Sequence, residues 1–166
     1  MTTVGHVDDG RTTTAVFEVV DPTGAEARTA MQAYFAELDE RFPGGFDVGD
    51  ALGPGAAPMA PPVGAFLLAR VDLEVAACGG LQRHDDDTGE VKRMWVAPAW
   101  RGTGLGRRML AELERHAAEL GYGRVVLDTN GTLDEALALY GSSGYEPIDR
   151  YNDNPYAQHW FAKLLA

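Results

Sequence analysis

The run Arg101-Gly-Thr-Gly-Leu-Gly-Arg107 lies between an apolar strand and an amphipathic helix, and it constrains this chain more than any other segment. Glycines at 102, 104 and 106 let the backbone take angles closed to other residues and approach a ligand closely. The run leads directly into a helix. The first N–H groups of that helix have no partner within it, and its dipole is positive at that end, so the junction suits an anion. Arg101, Arg107 and Arg108 add local positive charge to a chain of net charge −11. An ordinary glycine-rich turn needs neither the alternating glycines nor the arginines.

A dinucleotide-binding fold is the first rival, and Asp128 even stands at a suitable distance downstream. Three features oppose it. Arg107 occupies the place of the third glycine, and five residues separate the strand from the first glycine. About four strands also precede the loop with no helices between them, and too little chain follows for a doubly wound sheet.

The flanking segments read as follows. Residues 1–11 form a loose polar arm, and Thr13 to Val20 is β-branched and strand-like. Thr23-Gly-Ala-Glu26 has the form of a capping box, opening a helix with Ala27, Met31, Tyr34, Phe35, Leu38 and Phe42 on one face. Residues 43–62, rich in Gly, Pro and Ala, read as a long mobile loop. Gly64 to Val71, Leu73 to Leu81 and Glu90 to Val96 read as strands of a meander. Leu105 to Leu120 is an amphipathic helix closed by Gly121. A short apolar strand, Arg124 to Asp128, suits a central position. A second capping box, Thr132-Leu-Asp-Glu135, opens a helix through Tyr140, and two short strands close the chain. The sum is a single α/β (α+β) domain over 12–166, with a mixed, mostly antiparallel sheet and helices on both faces.

Beyond these elements, VKRMWVAPAWRGTGLGRRML resembles the coenzyme-A signature of the GNAT acetyltransferase superfamily, with Arg101, Gly104 and Gly106 filling its core. Downstream, Ala136-Leu-Ala-Leu-Tyr140-Gly-Ser-Ser-Gly144-Tyr145 resembles the superfamily's second motif. The resemblance covers nearly the whole chain and is strongest over 90–145. It implies acetyl-CoA as cosubstrate, held by Met94, Trp95 and Val96 of the strand and by Arg101, Gly102, Thr103, Gly104, Leu105, Gly106 and Arg107. One departure stands out: many members carry Asn seven residues before the motif tyrosine, and Leu133 stands there.

The resemblance implies direct transfer in a ternary complex. An amine, which holds its proton in water up to a pH of about 10, must lose it before attack. The carbonyl oxygen needs a donor as it gains charge, and backbone N–H near Val96 is the candidate. Tyr140 matches the tyrosine that protonates the departing thiolate. Glu90 stands where some relatives place a general base, with Asp128 ranked below it. The acceptor side in this superfamily draws on the first helix, the following loop and the last inter-strand loop, which nominates Tyr34, Phe46, Asp153 and Tyr156 beside Asp128. A non-catalytic acyl-CoA-binding sensor on the same fold is the alternative.

Charge and composition limit the partners. A net charge of −11 argues against nucleic acid and suits a cationic small-molecule or peptide amine. No apolar run approaches the roughly 20 residues of a membrane span, and no export signal is recognisable at the N-terminus, so a cytoplasmic location is expected. The single cysteine, Cys78, lies in an apolar run and reads as core, and no Cys/His spacing reads as a metal site. A homodimer is compatible with this reading.

Overall fold

A computed structural model describes residues 2–8 and 11–165, and side chains from Thr14 onward. Eight strands form one sheet in the order β1-β2-β3-β4-β5-β6-β8-β7. They are β1 (Thr2–Asp8), β2 (Arg11–Val20), β3 (Ala65–Val71), β4 (Glu74–Asp85), β5 (Thr88–Val96), β6 (Arg124–Thr129), β7 (Glu146–Pro147) and β8 (His159–Leu164). All neighbours pair antiparallel except β5 and β6. The N-terminal stretch read as a loose arm is therefore corrected. Thr2–Asp8 pairs with β2 along its whole length, while residues 9 and 10 of that stretch lie outside the described residues.

Three α-helices, α1 (Ala25–Arg41), α2 (Leu105–Glu119) and α3 (Asp134–Ser142), cover the sheet. Alternation along β3 divides the core between its two faces. Phe66 and Leu68 meet Ala27, Met31, Phe35 and Leu38 of α1. Leu67 and Ala69 belong with Leu105, Met109, Leu113 and Ala117 of α2 and with Tyr140 of α3. The stripe on α2 recurs every four residues, as burial of one helix face requires. Gly79 lets α2 approach β4, since a Cβ there would lie 2.8 Å from Leu113 Cδ1. Cys78 is fully buried, and burial pushes its thiol up to about 12.

Neither capping box forms. The N-cap positions of α1 and α3 are Gly24 and Leu133, without side-chain caps. Each glutamate is drawn instead to a distant arginine: Glu26 to Arg70 at 2.6 Å, and Glu135 to Arg41 of α1. Thr23 and Thr132 bond to Asp21 and Asn130 just before them. Each carboxylate gains a cationic partner in place of a single backbone N–H.

Residues 43–62, expected to be mobile, are built into the α1 face. Pro54–Met59 forms a 3-10 helix in which Ala56 and Met59 are fully buried. Arg93 donates to Ala51 O at 2.7 Å and to Gly55 O at 3.3 Å, and Arg28 donates to Leu52 O at 2.8 Å. Apolar anchors and satisfied carbonyls hold a segment that composition alone marks as loose.

Candidate active site

The glycine run opens α2. Gly102 has φ 81° and Gly104 has φ 86°, both in the left-handed region that favours glycine. A Cβ on Gly102 would meet nothing within 4 Å, so its backbone faces open space. The first bond inside α2 runs from Arg108 N–H to Gly104 O at 3.2 Å. The N–H groups of Leu105, Gly106 and Arg107 are thus the orphan donors of the helix start, beside the open glycine backbone. Such a cradle fits a pyrophosphate. Thr103 faces inward, its hydroxyl donating to Trp100 O at 2.6 Å, which shapes the turn.

The strand feeding this loop parts from its neighbour. β5 and β6 pair only over Thr88–Glu90 against Arg124–Val126. Beyond that point β5 stays with β4, and β6 stays with β8. A bulge helps turn β5 away: Gly80 pairs with Lys92 and Cys78 with Trp95, so β5 carries one extra residue. Arg93, at φ 58°, lies in that bulge. Ala97 N–H donates to Ala76 O, so ladder alternation turns the N–H and C=O of Val96 to the open side. Val96 O indeed accepts from Arg101 Nε at 2.9 Å.

Two cavities meet at this opening. The first, about 350 Å³, runs from Arg101, Gly102, Gly104, Gly106 and Arg107 past Met94, Trp95 and Val96. The second, about 310 Å³, lies beneath α1 and the loop after Asn154. Tyr34, Leu38, Met94, Leu133, Ala136 and Tyr140 line both and form the passage between them.

Tyr140 is buried, and its hydroxyl and that of Tyr34 have no hydrogen-bond partner among the described residues. No fully enclosed polar side-chain atom there is left unpaired, so both oxygens open onto the cavities. Burial, then the nearby Asp128, raises Tyr140 above the ordinary tyrosine value; burial, then Tyr140 itself, raises Tyr34. Both remain neutral donors at physiological pH.

The carboxylates separate into two roles. Glu90 lines neither cavity: it accepts from Tyr151 Oη at 2.6 Å and Gln82 Nε2 at 3.0 Å, and Lys92 Nζ lies 3.5 Å away. Asp128 lines the second cavity, held by Asn152 Nδ2 at 2.5 Å and Asn154 Nδ2 at 3.3 Å, with Lys92 Nζ at 3.8 Å. The structure thus reverses their order of access. Phe46 and Tyr156 line the second cavity. Asp153 does not: its side chain is fully exposed and pairs with Arg150 at 2.8 Å.

Arg101 and Arg107 line the first cavity but are already engaged. Arg101 Nη2 donates to Glu37 at 2.5 Å, and Arg107 donates to Ser142 Oγ at 2.7 Å and Ser143 Oγ at 3.1 Å. Sequence reasoning missed Glu37, which also accepts from Trp95 Nε1 and from Arg41. Its only signals were its place one turn beyond Tyr34 and its spacing of four from Arg41. Leu133 sits in the passage where many relatives carry Asn. Asn130 does not take over that role, because its amide is committed to Tyr156 O and its carbonyl oxygen to Thr132.

Among the described residues, no group of three or more His, Cys, Asp or Glu is placed to hold a metal ion. No helix there is long and apolar enough to cross a membrane.

Comparison with known proteins agrees with this fold. The model of the acetyltransferase (GNAT) family matches residues 28–145. An uncharacterized N-acetyltransferase of Schizosaccharomyces pombe is 36% identical over 112 residues, covering 66% of this chain and 68% of that protein. An IAA acetyltransferase of Azospirillum brasilense is 36% identical over 94 residues, covering 54% of this chain and 61% of that protein. The chain thus spans roughly two thirds of the length of these curated relatives. A GNAT-family acetyltransferase from Staphylococcus aureus superposes with a TM-score of 0.77 at 16% identity, over 91% of this chain and all of the other. One from Elizabethkingia anophelis, solved with acetyl-CoA bound, gives 0.65 at 16% identity over 91% of this chain and 98% of the other. With a family model spanning well over half of its residues, the chain belongs to the acetyltransferase (GNAT) family.

Proposed function

We propose that this protein transfers the acetyl group of acetyl-CoA to a primary amine held in the second cavity, with Tyr140 as acid and Asp128 as the proton's way out. The observation that carries this reading is the passage at Tyr140, where a cavity lined by an anion cradle meets one lined by a carboxylate. The pyrophosphate sits at Gly102, Gly104 and the first N–H groups of α2. The pantetheine arm follows the open edge of β5, where the N–H of Val96 faces the thioester.

The amine enters as an ammonium and gives one proton to Asp128, which passes it to solvent. The neutral nitrogen attacks the thioester carbonyl, forming the N–C bond while an open β5 N–H steadies the oxygen. As the C–S bond breaks, the second amine proton leaves the nitrogen. One proton reaches the sulfur from the Tyr140 hydroxyl, which is replenished by the proton released from the product nitrogen. The balance is an amide, a thiol and one proton to water. Leu38, Met94, Leu133 and Ala136 keep the passage dry, which strengthens each of these interactions.

Titration with acetyl-CoA, followed by thiol-release assay over an amine panel, tests the proposal. Acetylated product and micromolar binding, on the order of −8 kcal/mol, are expected. Gly104→Val should abolish binding in a protein that stays folded. Acetyl-CoA binding with no transfer to any amine would instead establish an acyl-CoA sensor.

A further inference from the structure

Resting on the transferase reading, we infer that the acceptor is a compact primary amine on a flat apolar body, an arylalkylamine without a carboxylate. The second cavity has an aromatic wall. Phe35 stacks on Phe46 at 5.1 Å, Phe46 meets Tyr156 at 4.6 Å, and Phe42 stacks on Tyr156 at 5.6 Å. That wall is set before any ligand arrives. Asp39 accepts from Phe46 N–H at 2.8 Å, Asp47 N–H donates to Tyr156 Oη at 2.8 Å, and Asn130 Nδ2 holds Tyr156 O at 2.6 Å. Preorganised rings receive a flat ligand at low entropic cost.

The charges decide which flat ligand fits. Asp128 gives the cavity one carboxylate, oriented by two asparagine amides, and it suits one ammonium. The nearby cations are both in use. Lys92 lies between Glu90 at 3.5 Å and Asp128 at 3.8 Å, two carboxylates for one ammonium. Arg93 turns its donors away, to Ala51 O, Gly55 O and Met31 Sδ, with Asp50 also acting on it. Among the described residues lining this cavity, both cations already face carboxylates or carbonyl oxygens, so the carboxylate of a free amino acid would find no unpaired cation there. Phe42, Phe46 and Tyr156 likewise offer no second carboxylate to a polyamine or an amino sugar. A volume near 310 Å³ suits a ring with a short chain.

The test compares 2-phenylethylamine, L-phenylalanine, spermidine and 2-deoxystreptamine on the full chain, by calorimetry with coenzyme A present and by acetylation with acetyl-CoA. 2-Phenylethylamine should bind at least tenfold more tightly than L-phenylalanine or either polycation, and be acetylated. Phe46→Ala and Asp128→Asn should each weaken its binding several-fold while acetyl-CoA affinity stays unchanged. Selective binding of 2-phenylethylamine without acetylation supports the ligand class and overturns the transferase reading. Equal or tighter binding of L-phenylalanine, spermidine or 2-deoxystreptamine overturns the inference, as does no binding of any of the four.

Discussion

Glu37 Oε1 accepts from Arg101 Nη2 at 2.5 Å, tying the C-terminal part of α1 to the residue that begins the glycine run. The pair lies at the edge of the first cavity with side chains 21% and 36% exposed, so it contributes little to stability. Its consequence is electrostatic. Glu37 places a negative charge beside a cradle meant for an anion and offsets both Arg101 and Arg41.

Glu37→Gln keeps hydrogen-bonding capacity toward Trp95 and removes the charge. One unit charge acting across several ångströms of wet protein amounts to about 0.5 to 1 kcal/mol. Coenzyme A should therefore bind about two- to fivefold more tightly at low ionic strength, with the gain shrinking at high salt. Calorimetry at two salt concentrations checks this. An unchanged dissociation constant at low salt would mean that Glu37 does not face the coenzyme.

Tyr140→Phe removes one hydroxyl that has no hydrogen-bond partner among the described residues, and little packing volume. General-acid assistance contributes about 10²- to 10⁴-fold, so kcat should fall by at least about 10²-fold with acetyl-CoA affinity unchanged. Tyr34→Phe, at the same passage but outside the proposed proton path, should lower kcat less. Equal losses in the two variants would assign the acid role to neither residue alone.

Much of this architecture was legible in the sequence. The glycine run, the α2 stripe from Leu105 to Ala117 and the apolar β6 each carry a local pattern that the fold obeys. The helix start and the left-handed glycines before it were legible for the same reason, since both are written in neighbouring residues. What stayed hidden depends on contacts between distant residues. Glu26 and Glu135 read as caps until Arg70 and Arg41 are brought to them. Glu90 and Asp128 are interchangeable carboxylates in sequence; the parting of β5 from β6 puts Asp128 at the cavity and leaves Glu90 behind Lys92. Asp153 looked like Asp128 in kind but lies on the outer side of its loop.

High pH should unfold the protein through its tyrosines. Burial comes first in raising Tyr34, Tyr140, Tyr145 and Tyr151 above the ordinary value of 10.0; Glu114 and Glu90 add to the rise at the last two. Below pH 10 both folded and unfolded chains keep these protons, and their contribution to stability is whole. Above it the unfolded chain releases protons that the folded chain retains, so stability falls as pH rises. Tyrosinate absorbance from these four should therefore appear together with loss of circular dichroism. Complete titration of all tyrosines in a chain that is still folded would contradict their burial.

Met59 and Gly80 hold residues 43–62 against the sheet. Met59 is fully buried, and a Cβ built on Gly80 would collide with its Sδ. The missing side chain on β4 is thus the socket for a sulfur from the end of the 3-10 helix. Met59→Ala empties that socket, with an expected cost of about 2 to 5 kcal/mol, the range for large-to-small changes in cores. Gly80→Ala fills it from the other side, and overpacking there should cost about 1 to 3 kcal/mol. The two changes meet at one site, so the double variant should be more stable than the sum of the single losses implies. Hydrogen exchange adds a local readout: in the free parent protein, Ala56 to Met59 should exchange slowly, and both single variants should speed it. Fast exchange there in the unliganded parent would return the segment to the mobile loop that its glycines and prolines suggest.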